Sequence, residues 1–161
     1  MRRMSERYWV LRNMSKIKVV ADTNIFINSW FSSNHFYCDA VIDLIDNKKI
    51  ELVFSQDTIG ELFYVVKNFV YHAFNDKQIQ FEYMHMLSEI FFESSSVNTS
   101  KTECPKIKDS SDEMFLKTAI ESNADYIVSD DKESGMHIVK LDSIKIVNSK
   151  QFVSMYERLC V

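Results

Sequence analysis

The sequence predicts a three-layer α/β domain, with a mostly parallel central sheet of about five strands and helices on both faces. Three observations lead there. Short β-branched runs alternate with longer stretches whose apolar residues recur every three or four positions, the rhythm of βαβ units. Two glycines, Gly60 and Gly135, and one proline in 161 residues argue against a sandwich built from many short hairpins. Hydrophobic residues make up 46% of the chain and charged residues 26%, which suits a single globular core of ordinary domain size.

The elements follow in order along the chain. Residues 17–21 (IKVVA) form an apolar run ended by polar residues, as a buried parallel strand requires. A helical stretch follows, with Ala40, Val41, Leu44 and Ile45 at helical spacing in residues 38–48, before a second strand at 51–54 (ELVF). From Ile59, Leu62, Phe63, Val66, Phe69, Val70, Ala73 and Phe74 trace one face of a long amphipathic helix, and a second such helix runs from about 78 to 92. The polar stretch 94–108 holds a short edge strand and a loop. Helix 111–122 precedes a strand at 126–129 (YIVS); 144–147 (IKIV) is the last strand and 152–159 a closing helix.

Composition excludes several functions. Two isolated glycines cannot build a phosphate-cradling loop or a GxSxG elbow. Cys38, Cys104 and Cys160 are odd in number and form no CxxC pair, as expected of reduced thiols in a cytoplasmic protein. His35, His72, His85 and His137 lack the spacing of a metal pair. No apolar run has signal-peptide or membrane-spanning length. Residues 1–18 carry a net +5, which leaves −9 on the rest of a chain whose total is −4. So acidic a body does not attract polyanions in bulk, and any nucleic-acid role must be local. The segment 1–13 reads as a basic extension, disordered or a start-site artefact, ahead of one domain at 14–161.

Carboxylates gather where the strands end. Asp22 follows the first strand, Glu61 lies in the helix after the second, Asp109 and Asp112 open a helix, and Asp130 and Asp131 follow the strand YIVS. In parallel strands these acids converge on one rim, where α/β sheets place their sites. Two carboxylates about 4 Å apart repel by roughly 4 kcal/mol at an effective dielectric near 20, so such a cluster needs protons or a cation. Oxygen donors without His or Cys favour Mg²⁺ or Mn²⁺ over zinc. Local structural roles compete. Asn24 or Asp22 can cap the first helix, Asp109 or Ser110 the helix at 112, Thr58-x-x-Glu61 fits a capping box, and Asp130-Asp131 fits a plain turn.

The motifs KIKVVADTNIFINSW and DSSDEMFLKTAIESNADYIVSDDKE resemble the two signatures of PIN-domain ribonucleases, in particular the VapC-like toxins of bacterial toxin–antitoxin pairs. The resemblance covers Lys16 to about Leu159. It implies a PIN-like fold and a Mg²⁺- or Mn²⁺-dependent endoribonuclease that leaves a 5′-phosphate. Its metal-binding acids fall on Asp22, Glu61, Asp112 and Asp131, with Asp130 as the fallback for the fourth. The small polar helper falls on Asn24, and Lys132 is a weaker candidate for contacting the RNA backbone. Asp130 stands where the family usually has glycine, so an unusual backbone conformation is expected there.

The resemblance further implies a cognate antitoxin and a homodimer, with contacts in the region of the two long helices. Their aromatic and Met-rich positions, Phe63, Phe69, Phe74, Tyr83, Met84, Met86, Phe91 and Phe92, are expected to be core, with any excess forming an interface. Two other readings stand beside this one. The first is a catalytically silent PIN-fold scaffold or RNA-processing factor. The second is a phospho-receiver domain, which fits poorly because a receiver carries its acidic pair at the first strand and here the pair lies late.

Overall fold

A computed structural model describes residues 16–160; the basic extension at 1–13 lies outside them. The strands are β1 (Lys18–Ala21), β2 (Glu51–Ser55), β3 (Ser95–Val97), β4 (Tyr126–Val128) and β5 (Lys145–Val147), in the order β3-β2-β1-β4-β5. All four pairings are parallel, so the sheet expected to be mostly parallel is wholly so.

Parallel strands covered on both faces must be apolar on both, and here successive residues divide between two cores. Val19, Ala21, Leu52, Phe54 and Val128 enter one cluster, while Val20, Val53 and Ile127 enter the other. The first cluster lies under five helices: α1 (Thr23–Phe31), α2 (Phe36–Asp46), α3 (Gln56–Ala73), α4 (Lys77–Glu93) and α6 (Ser149–Cys160). The second is closed by α5 (Glu113–Ser122), through Phe115, Leu116 and Ala119, and by Met136 in a 3-10 turn at Met136–Ile138.

Helix starts differ from the periodicity by a few residues, for identifiable reasons. The stretch after β1 is two helices, broken near Asn34 in the left-handed conformation (φ 67°). α3 starts at Gln56 because Ser55 supplies the cap: the Thr58 N–H donates to Ser55 Oγ at 3.3 Å and the Ser55 N–H to Thr58 Oγ1 at 2.9 Å. The capping box is therefore Ser55–Thr58, not Thr58–Glu61, and Glu61 is free of that role. α6 begins at Ser149 rather than 152 because Asn148 caps it: the Gln151 N–H donates to Asn148 Oδ1 at 2.8 Å and the Asn148 N–H to Gln151 Oε1 at 3.0 Å, while the Asp130 carboxylate accepts the Ser149 N–H at 2.8 Å.

Along the outer helices Phe63, Phe74, Tyr83, Met84 and Met86 pack against the core. Phe92 is 89% exposed, and Phe69 and Phe91 are partly exposed. Tyr64, Tyr71 and Phe81 also stand exposed on α3 and α4. Among the described residues no helix is long and apolar enough to cross a membrane.

Candidate active site

β1 sits at the centre of the sheet. The chain leaves it toward β2 and β3 on one side, then returns to place β4 on its other side. A crevice opens beyond the carboxyl ends of strands where the order reverses. Asp22 follows β1 and Asp130-Asp131 follow β4, so these acids flank that crevice. Glu61 reaches it from α3, and Asp112 from a 3-10 turn (Ser110–Asp112) that leads into α5.

Asp22 is buried at 4% exposure. Its Oδ1 accepts the Asn24 N–H at 3.2 Å, which makes Asp22 the cap of α1, and its Oδ2 accepts the Ser129 hydroxyl at 2.6 Å. Burial raises its pKa, the Ser129 and Asn24 hydrogen bonds oppose the rise, and the charges of Asp131 and Asp130 add to it. Glu61 accepts the Thr23 hydroxyl at 2.7 Å. It too is pushed above the ordinary range, first by burial, against the Thr23 bond and with the charges of Asp22 and Asp109.

The Asp112 side chain caps nothing. Its carboxyl is pushed up to about 7 by burial and then by the charges of Asp22, Asp109, Asp131 and Glu61. Its neighbour Glu113 turns elsewhere, pairing with Lys106 at 3.0 Å, which holds it below the usual range. Asp109 caps the 3-10 turn by accepting the Ser111 N–H and hydroxyl.

Asp130 and Asp131 leave β4 in opposite directions, as consecutive residues of an extended chain do. Asp131 Oδ1 accepts the N–H groups of Glu133 and Ser134 at 2.7 and 3.3 Å, and its charge is felt at both Asp22 and Asp112. Asp130 reaches away to α6, accepting the Ser149 N–H and hydroxyl, each at 2.8 Å, and the Cys38 thiol at 3.3 Å. The unusual backbone expected at position 130 is not found. Among described residues other than glycine, only Asn34, Lys48 and Asn123 have positive φ.

The glycine that the turn does require is Gly135, at φ +87°. A Cβ there would lie 3.1 Å from the Lys108 backbone nitrogen, and next to this contact the Asp109 N–H donates to the Ser134 carbonyl at 2.9 Å. This seam joins the loop of Asp131 to the loop of Asp112. Gly135→Ala is expected to cost about 1–2 kcal/mol for the left-handed backbone alone, lowering the melting temperature by roughly 2–8 °C in a chain of this size. An unchanged thermal transition would show that the seam is slack.

The structure thus brings Asp22, Glu61, Asp112 and Asp131 within electrostatic reach of one another. Asn24 stands exposed beside them, offering its backbone N–H to Asp22, and Lys132 is exposed on the rim. Thr23 and Ser129 were not singled out from the sequence as site residues. The only local signal for them was a hydroxyl residue directly adjoining a strand-end acid.

Among the described residues the ion pairs join Lys48 to Glu93, His85 to Glu89 and Lys106 to Glu113, and none reaches the four acids. Nor are three of them already drawn close enough to hold one ion. The donor set nevertheless suits a hard divalent cation: oxygens only, negative, half-buried and uncompensated.

Residues 18–133 match the PIN domain family. The chain belongs to it. No curated protein matches the sequence. In fold, this PIN domain is similar to a chain in the crystal structure of VapBC2 from Rickettsia felis bound to a DNA fragment from their promoter (14% identity, TM-score 0.51). It is equally similar to one in that of FitAcB from Neisseria gonorrhoeae (13% identity, TM-score 0.52). Each match covers 82% of this chain and 98% of the other.

Proposed function

We propose that this PIN domain is a Mg²⁺- or Mn²⁺-dependent endoribonuclease and the toxin of a type II toxin–antitoxin pair. The observation that carries the reading is the gathering of Asp112, its carboxyl raised, with three further acids that no cationic side chain among the described residues pairs with. Asp22, Glu61, Asp112 and Asp131 would hold the metal, which when bound supplies Lewis acidity and lowers the pKa of a water. The chain's own groups do the rest. Ser129 and Thr23 fix the orientation of the Asp22 and Glu61 carboxylates, the Asn24 carboxamide orients the scissile phosphate or the attacking water, and Lys132 contacts the RNA backbone. Without metal the Asp112 carboxyl is pushed up to about 7 by burial and its acidic neighbours, so a cation bound there would displace its proton.

The fold shared with VapBC2 and FitAcB chains supports a cytoplasmic toxin with an antitoxin partner. Tyr64, Tyr71 and Phe81, exposed on α3 and α4, offer apolar surface for that partner or for a homodimer. Family membership leaves the receiver reading without support.

Labelled RNA incubated with Mg²⁺ or Mn²⁺ is expected to be cut internally, and EDTA or Asp22→Asn to stop it. Cleavage that survives both controls overturns the mechanism. Absence of cleavage with every RNA tried favours the silent scaffold. Expression without a partner is expected to slow bacterial growth, with relief by Asp22→Asn. Equal growth of both at equal expression removes the toxin role and leaves the chemistry.

A further inference from the structure

We propose that the cavity at the carboxyl ends of β2 and β3 is a nucleobase subsite that sets the sequence preference of cleavage; this rests on the nucleolytic reading above. The cavity measures about 620 Å³ and its walls include Gln56, Ile59, Phe91, Ser96, Asn98 and Ser100. Such a volume lies within the range of small-molecule sites. None of its lining residues is charged, although β2, which ends at Ser55 of the wall, pairs with β1, the strand that leads into Asp22. A neutral wall gives phosphate no electrostatic reason to enter, yet it admits an uncharged aromatic base.

The chemistry of the walls suits a base. Phe91, 38% exposed, presents a ring on which a base can stack, and Ile59 adds an aliphatic wall. Asn98 uses its Oδ1 to accept the Ser100 N–H at 3.0 Å, which keeps its amide hydrogens for an incoming acceptor. The hydroxyls of Ser96 and Ser100 can donate or accept. Hydrogen bonds to base edges on an unpaired strand are how proteins read RNA sequence.

The floor is preformed and tied to the acids. Gln56 clamps the buried Thr99 from both sides, Nε2 donating to Thr99 Oγ1 at 3.2 Å and Oε1 accepting its N–H at 3.3 Å. Ser55, which also lines the cavity, caps α3, the helix that carries Glu61. Its Oγ accepts the Thr118 hydroxyl at 2.8 Å from α5, the helix that follows Asp112. A strand whose phosphate sits at the acids can therefore drop a neighbouring base here.

The test is a titration of the isotope-labelled full chain with each nucleoside 5′-monophosphate in EDTA, with ribose 5-phosphate as the baseless control. The amides of Ser96, Asn98 and Ser100 are expected to shift with one or two of the four bases and not with ribose 5-phosphate. Asn98→Ala should weaken that binding about tenfold, the usual worth of a lost base contact, and Ser96→Trp should fill the cavity and remove it. Metal-supported cleavage of a randomised RNA pool should continue in both variants with an altered base preference at one position. Shifts equal for all bases and the control, or an unaltered preference in both variants, overturn the subsite while the nuclease stands. Base-dependent shifts without RNA cleavage by the wild type show a base-binding cavity but overturn both the nuclease and this cavity's part in cleavage preference.

Discussion

Asp112→Asn is expected to lower metal-supported cleavage by more than about 100-fold and to raise the melting temperature of the metal-free protein at neutral and alkaline pH. The first number follows from metal sites in general, where even the outer partners of ligands are worth about 10–100-fold. The second follows from the charges. In the unfolded chain the carboxyl titrates at its ordinary 3.8, and in the folded protein at about 7, through burial and the charges of Asp22, Asp109, Asp131 and Glu61. The folded state therefore holds the proton more tightly, and this contribution to stability is complete below about pH 4 and lost as pH rises through 7. Asparagine stays neutral throughout. Wild type and variant should melt together near pH 4 and separate progressively toward pH 8, with the variant higher. Saturating Mn²⁺ should reverse the order, because a ligand that binds only the folded state stabilises it by mass action. Calorimetry at four pH values with and without Mn²⁺ measures all of this. Coincident transitions at pH 8 in EDTA would show that the acids do not press on one another.

Asp130→Ala is expected to cost about 3 kcal/mol, or roughly 6–12 °C in melting temperature, with the metal site's charge count unchanged. Asp130 accepts the Ser149 N–H, the Ser149 hydroxyl and the Cys38 thiol, and a hydrogen bond to a charged group contributes about 1.5–3 kcal/mol. Its carboxylate also stands at the positive end of the α6 dipole. Asp130→Gly loses the same bonds, so putting the family's usual glycine at this position is expected to cost as much. Asp131→Asn should behave in the opposite way. Its carbonyl oxygen can still accept the Glu133 and Ser134 N–H groups, so the fold should hold while metal affinity falls. If Asp130→Asn damages a Mn²⁺ titration more than Asp131→Asn does, the fourth ligand is Asp130.

The layers of this fold were legible because burial on two faces leaves a mark on composition. Val19 and Val20 are both apolar since each meets a different core. The long helices were legible because only one face of each is buried, as at Leu62, Val66 and Val70. Helix starts were less so. α6 has a local capping box in Asn148 and Gln151, but the Asp130 carboxylate that accepts its first N–H comes from 19 residues upstream, beyond the reach of local sequence.

By itself the sequence determined the alternation of strands and helices, the family motifs, and an acid at the end of each strand that flanks the crevice. These are local properties, set by side-chain period and residue type. Only the tertiary structure decided the strand order that puts β1 beside β4, the hydroxyls of Thr23 and Ser129 that orient Glu61 and Asp22, and the division of labour between Asp130 and Asp131. Each depends on groups 19 to 107 residues apart in the chain. Their meeting is fixed by sheet topology and packing, and the raised carboxyl of Asp112 exists only once burial and like charges act on it together.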